Sequence, residues 1–311
     1  MASIGTEQRS AGQAAMSIDV EDWFHVENLK SVIPRAAWDG CELRVERNTM
    51  RIMEILDACK ARATFFVLGW VAERCPQLVR AIAAAGHEVA SHGYGHDLVY
   101  SLQPAEFRAD VLRSKYYLED LIGKPIRGYR APCFSITDWA VAILQDAGFR
   151  YDSSVVSTLA HDRYGRLDGV DAGQTIMLLR EDFYEASISC IRVGSLGIPW
   201  GGGGYFRLAP YWLWCQGVRM ILRSGMPYVF YIHPWEIDPG QPCINGLDAV
   251  SRFRHRVNLH RCELRFIALI DDFEWMPLGE LIDRWKTNCG GAPQPVPALT
   301  VGAHVSVANQ S

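Results

Sequence analysis

Apolar residues along this chain follow two rhythms, short unbroken runs and stretches in which they recur every three or four positions, and the two alternate. That alternation predicts βα units built around a mostly parallel sheet. The run MSIDV at 16–20 predicts a first strand, and the stripe of Met50, Ile52, Met53, Ile55 and Leu56 predicts a helix over 48–60. ATFFVLG, at 63–69, has the length and the β-branched and aromatic content of a buried strand. Pro76 opens a helix, Gly86 closes it, and a strand follows over 87–91. The pattern then predicts a helix over 104–122, a strand over 126–132, a helix capped by Thr137 or Asp138 and stopped by Gly148, and a strand over 149–155. Further strands are predicted at 174–180, 186–194 and 227–234, with helices at 262–272 and 277–287. So many βα units in succession predict a barrel, or an open sheet bent nearly into one.

The two ends lack either rhythm, so residues 1–15 and 288–311 are expected to be flexible tails around a folded part spanning 16–287. Composition narrows the class: 311 residues that are 49% hydrophobic and 21% charged suffice for one large globular domain or two small ones. A net charge of −4 supplies no electrostatic reason to bind nucleic acid or an anionic membrane. No apolar stretch reaches the ~18 residues of a membrane span, and the start has neither a basic nor an apolar leader segment. A cytoplasmic location without stable membrane insertion is therefore expected. Nine cysteines without a CxxC pair argue against a disulfide framework and a structural zinc knuckle, and most are expected to be small core residues.

Polar clusters fall where the predicted strands end: Asp19, Glu21 and Asp22, then His92 and His96, Arg130, Asp152 and His233. In α/β barrels the chemistry lies on that rim. His92 and His96 flank Gly93 and Gly95 in SHGYGH, a spacing that lets two imidazoles face one metal ion. Such an ion wants a third, anionic ligand, and a hydrolase wants a separate carboxylate as base; the acid trio offers both. Arg130 is the guanidinium that would offset their mutual repulsion, with Pro132 fixing the loop behind it. His233 suits a general acid, held in orientation by Glu236 or Asp238.

SIDVED, SHGYGH, YRAP, AGFRYDSS and YIHP, in this order, resemble the motifs of the polysaccharide deacetylase family, also called NodB-homology or carbohydrate esterase family 4. GGGGYFRLAPYWL and YIHPWEIDPGQP are similar to its subgroup associated with exosortase and exopolysaccharide gene clusters, which makes 161–287 a subgroup-specific part. The resemblance implies a deformed (β/α) barrel that removes N-acetyl groups from amino sugars of a glycan with a divalent metal, usually zinc. Residue by residue it implies Asp19 as catalytic base, His92 and His96 as metal ligands, Arg130 as the residue orienting the base and His233 as general acid. The family's adjacent aspartate pair is replaced here by Asp19-Val20-Glu21-Asp22, so the third ligand is Asp22 or Glu21, with Asp22 preferred.

Substrate contacts are expected from Tyr151, Asp152, Pro132 and Trp235, with a backbone N–H near Tyr151 to Ser153 receiving the oxyanion. Gly201 to Gly204 lack the Lys-Ser/Thr of a P-loop and are expected to form a flexible lid or glycan-facing loop. Trp200, Tyr205, Tyr211, Trp212 and Trp214 offer sugar-stacking faces or core packing under a helix, with Trp23 and Trp235 better placed for a cleft. The alternatives are a deformylase of a lipid-linked formamido sugar, a metal-free allantoinase-like amidohydrolase and a non-catalytic glycan-binding module.

Overall fold

A computed structural model describes residues 13–288 except 157, 159–163, 171, 172 and 195. The expected tails lie almost entirely outside the described residues. In chain order the elements are β1 (Ala14–Val20), α1 (Val45–Ala58), β2 (Thr64–Val67), α2 (Gly69–Arg74), α3 (Pro76–Ala84), β3 (Glu88–Ser91) and α4 (Pro104–Ile122). They continue with β4 (Gly128–Tyr129), α5 (Asp138–Asp146), β5 (Tyr151–Asp152), β6 (Ile176–Arg180), β7 (Phe183–Ala186), β8 (Cys190–Val193) and β9 (Leu196–Pro199). The chain closes with α6 (Gly203–Leu208), α7 (Tyr211–Arg223), β10 (Tyr228–Ile232), α8 (Ala249–Arg256), α9 (Leu259–Asp272), β11 (Trp275–Met276) and α10 (Leu278–Asn288).

The main sheet runs β10-β1-β2-β3-β4-β5-β7-β6, with β11 beside β1, and all its pairings are parallel except β6 with β7. It is curled, a deformed (β/α) barrel. The gap between its ends is bridged by backbone: Ser189 N–H donates to the Val229 carbonyl at 3.3 Å, and Tyr231 N–H donates to the Gly201 carbonyl at 2.7 Å. β8 and β9 pair as a separate hairpin.

Strand alternation sorts side chains onto the two faces of the curl. Ala14, Met16, Ile18 and Val20 of β1, with Phe65, Val67, Tyr228, Phe230 and Ile232, face the core beneath the helices. Ala15, Phe66, Ala90, Tyr151, Val229 and Tyr231 line the interior with a second, smaller apolar cluster. The interior face therefore inherits Ser17, Asp19 and Glu21 from β1 and His233 from β10, because each lies an even number of residues from Ala15 or Tyr231. Two-residue steps along a pleat thus carry the apolar interior into a polar rim.

The four-glycine run is not a lid, although Gly204 at its end lines a cavity at the C-terminal ends of the strands. Gly201 and Gly202 abut β10, where a side chain on Gly202, at φ 136°, would run into the Tyr231 carbonyl, and Gly203 begins α6. Gly202→Ala is expected to lower stability by about 2–3 kcal/mol, from strain plus displacement of β10. A chemical-denaturation midpoint at the wild-type value would contradict this close approach.

No helix among the described residues is long and apolar enough to cross a membrane. Among the described cysteines, Cys75, Cys215 and Cys262 are buried, and Cys41, Cys59 and Cys190 are half-buried against the core, so the core reading holds for most of them.

Candidate active site

At the C-terminal ends of the strands lies a cavity of about 410 Å³ lined by Asp19, Glu21, His92, His96 and His233 among others. A larger cleft of about 550 Å³ near His87, Lys124 and Asp283 sits at the opposite ends of the strands, where Arg127 and Asp283 are already paired.

β1 delivers Asp19 and, past its end, Glu21. Asp19 Oδ1 accepts a 2.6 Å hydrogen bond from Arg130 Nη1. Arg130 is fully buried; it also donates to Ser17 Oγ at 2.8 Å and, through Nε and Nη2, to the carbonyl and hydroxyl of Ser153 at 2.9 and 2.8 Å. The face of its guanidinium lies 4.1 Å from the Phe66 ring centroid. With four of its five N–H donors engaged, Arg130 holds Asp19 in one place, the use for which a planar, always charged group is suited.

β3 ends at Ser91, and the following loop turns back through Gly93, at φ 72°, to bring His96 beside His92. Asp110 of α4 holds this loop, accepting the Tyr94 N–H at 2.8 Å and the Gly95 N–H at 3.1 Å. His92 Nδ1 lies 2.9 Å from the Arg130 carbonyl, a partner that can only accept, so Nδ1 carries the proton and Nε2 is left as a lone-pair donor. Burial pushes the His92 imidazole down to about 4, which keeps it neutral and able to ligate.

Glu21 Oε2 lies 2.6 Å from His96 Nε2 and 4.0 Å from His92 Nε2. Despite that proximity, Oε2 makes no properly directed hydrogen bond. Burial alone would raise the Glu21 carboxyl, but His96, His233 and His92 outweigh it and hold it far below the usual carboxylate range. The ligand atoms of Glu21, His92 and His96 all lie within 4.8 Å of one another. Tetrahedral ligation at about 2.1 Å sets ligand atoms roughly 3.4 Å apart, so this buried donor set fits a divalent metal with small side-chain adjustments.

Asp22, the preferred third ligand on sequence, points elsewhere, which corrects that expectation. Its Oδ1 accepts the Trp23 N–H at 2.8 Å, and its Oδ2 accepts the N–H groups of Arg44 and Val45 at 2.6 and 2.8 Å. Those last two donors open α1, a helix N-terminus that favours an anion. Alternation decides the matter: two residues beyond Asp19 is the cavity side, and three is the other.

His233 closes the far wall. Its Nε2 lies 3.5 Å from Glu21 Oε1 and 3.8 Å from Asp19 Oδ2, and its Nδ1 lies 2.9 Å from Glu236 Oε2. Burial would lower this imidazole, but Glu21, Glu236 and Asp19 push it up to about 9. Glu236 is the residue that orients it; Asp238 is taken by Arg44 at 2.8 Å and Asn48 at 3.2 Å.

Of the expected substrate contacts, Trp235 lines the cavity, its ring stacked between His233 and His255 at 5.3 and 4.9 Å. Tyr151, Asp152 and Pro132 do not line it. Tyr151 packs into the interior apolar cluster, and Asp152 faces outward beside Glu185, where burial raises both acids. Pro132 is buried under the turn whose next residues, Cys133 and Phe134, do line the cavity. The expected oxyanion donors are occupied: Tyr151 N–H bonds the Arg127 carbonyl at 3.2 Å and Ser153 N–H the Tyr129 carbonyl at 2.9 Å. Trp23 sits in an aromatic cluster with Phe24 and donates to the Glu42 carbonyl at 3.1 Å. Trp200 and Trp214 stack on each other in the core, 4.8 Å apart, and Trp212 is exposed. Tyr205 reaches the cavity and Tyr211 bonds Asp272 at 2.6 Å. Arg207, Tyr231 and Arg254 line the cavity unforeseen, and only the alternation of β10 signalled one of them, Tyr231.

Residues 37–151 match a family described as Polysaccharide deacetylase, and residues 153–283 match a domain of unknown function, DUF3473. A peptidoglycan deacetylase of Helicobacter pylori is 30% identical over 65% of this chain and 65% of its own length. A peptidoglycan-N-acetylglucosamine deacetylase of Bacillus cereus is 28% identical over 41% of this chain and 58% of its own. A chitooligosaccharide deacetylase of Bradyrhizobium sp. is 32% identical over 32% of this chain and 46% of its own. The chain thus spans between about a third and two thirds of the length of the first such relatives. The fold is shared with a crystal structure from Mycobacterium smegmatis described as a putative polysaccharide deacetylase, at a TM-score of 0.60 and 20% identity, covering 92% of this chain and 93% of that one.

Proposed function

We propose that this chain, whose residues 37–151 match the polysaccharide deacetylase family, hydrolyses the N-acetyl groups of amino sugars in a polysaccharide or its precursor. The observation that carries this reading is one cavity holding an arginine-clamped carboxylate, a buried Glu/His/His donor set and a carboxylate-held imidazole. Peptidoglycan and chitooligosaccharide deacetylases among the relatives support an N-acetylglucosamine-type sugar. The match of 153–283 to the domain of unknown function fits the exopolysaccharide-associated subgroup.

Glu21, His92 and His96 would hold the metal, zinc by the character of the donors. Bound there, a divalent ion supplies Lewis-acid activation of the acetyl carbonyl and of water. Asp19 takes the proton of the attacking water on Oδ2, the oxygen that faces His233, while Arg130 immobilises Oδ1. The water oxygen bonds to the acetyl carbon. His233, tied at Nδ1 by Glu236, gives its Nε2 proton to the sugar nitrogen as the C–N bond breaks. Acetate and a free amine leave. Phe134, Tyr205, Leu208 and Tyr231 give the cavity apolar surface suited to sugar rings.

The test is a panel of N-acetylglucosamine oligomers, peptidoglycan fragments and N-formyl analogues, with acetate and formate measured. Acetate release from at least one N-acetylated glycan is expected. Formate without acetate would make the protein a deformylase, and release of neither would overturn hydrolysis.

A further inference from the structure

The polysaccharide deacetylase match ends at residue 151, yet His233 and its supports come from the later segment. We infer that Arg207, at the end of the GGGGYFR stretch, is a positioning residue that holds the proposed general acid through Glu236, so that the segment of unknown function completes the active site. This rests on the deacetylase reading above.

Arg207 is buried, and four of its five guanidinium N–H groups are engaged. Nε donates to Glu236 Oε1 at 2.8 Å, Nη1 to the carbonyls of His255 and Val257 at 3.0 and 2.9 Å, and Nη2 to the Arg254 carbonyl at 3.0 Å. Glu236 divides its two oxygens: Oε1 meets Arg207, while Oε2 meets His233 Nδ1 at 2.9 Å and the His233 N–H at 3.1 Å. Neither oxygen can turn without breaking the other's contact. Arg207 also supports the imidazole from behind, since the backbone carbonyl it holds belongs to His255, whose ring stacks on Trp235, which stacks on His233.

A buried arginine–carboxylate pair is weak support for stability, because apolar residues of the same volume do as well. Its place behind an imidazole gives it another use, matching the way Arg130 clamps Asp19. The glycines fix the register: Gly201 and Gly202 are bonded against β10, the strand that ends just before His233, and α6 then carries Arg207 to Glu236.

The test compares two substrates. An N-acetyl glycan has a poor amine leaving group that needs a proton, whereas 4-nitrophenyl acetate expels a stable phenolate without one. In Arg207→Gln, kcat on the glycan is expected to fall about 10- to 100-fold, as for a residue that orients a catalytic group. KM, bound metal and 4-nitrophenyl acetate turnover are expected to change by less than about threefold, and Arg207→Lys to recover part of the loss. Should Arg207→Gln fail to fold, because Glu236 is left buried and unpaired, the uncharged Arg207→Gln/Glu236→Gln pair is compared with Glu236→Gln. There the second substitution should add little, because Arg207 acts through Glu236. Parallel loss on both substrates, unchanged glycan turnover or additive losses would overturn the inference. A wild-type protein with no glycan turnover would overturn the deacetylase reading itself.

Discussion

Asp19→Asn is expected to slow N-acetyl hydrolysis by roughly a thousandfold, within the range that general bases contribute, with bound metal retained. The amide keeps the shape of the side chain and can still accept from Arg130, but its nitrogen cannot take a proton from water. Removing one partner of a buried pair also leaves Arg130 without its counter-charge, which costs about 3 kcal/mol or more of stability. The two effects separate experimentally: a denaturation midpoint reads the second, and the rate at a temperature where the variant is fully folded reads the first. Activity within tenfold of wild type under those conditions would remove Asp19 from the role of base.

The second large effect concerns neighbours that differ by one position. Glu21→Ala and His92→Ala are each expected to lose the bound metal ion, read by elemental analysis of protein purified without chelators, and with it the deacetylase activity. Asp22→Ala is expected to keep the ion. Its cost falls on stability instead, about 1–3 kcal/mol, because three backbone N–H groups lose their acceptor, two of them at the start of α1. Metal loss in Asp22→Ala with retention in Glu21→Ala would reverse the assignment.

Much of this site was legible in the sequence because strand ends and polar clusters coincide. Asp19, His92, His96, Arg130 and His233 all come together at one rim, as the run of βα units predicts. The miss at Asp22 has a simple cause. Alternation along β1 puts Glu21 on the face of Asp19, and the backbone keeps that parity for one residue past the end of the strand, which turns Asp22 to the other side. Asp152 fails for the same reason, since Tyr151 occupies the interior side of β5 and leaves Asp152 outside. β4 and β5 contain only two ladder residues each, where the stretches 126–132 and 149–155 predicted longer strands, because burial continues beyond the hydrogen bonding.

The glycine run misled in the other direction. Four glycines read as mobile backbone, whereas here they permit close approach to β10 and the start of α6. Arg207 could not be singled out by local pattern, because its partner Glu236 lies 29 residues away and only the folded barrel brings them together. β8 lies within the strand expected over 186–194, whereas α8 carries no apolar stripe strong enough to mark it, with Arg252, Arg254 and Arg256 interrupting its apolar positions.

The most direct test of the account is acetate release from an N-acetylglucosamine oligomer by protein stripped of metal and then reloaded with one equivalent of zinc. The account predicts no acetate from the stripped protein, recovery on reloading, and one free amine formed for each acetate. Equal acetate release before and after stripping, with metal absence verified in the stripped sample, would contradict a metal-dependent deacetylase built on Glu21, His92 and His96.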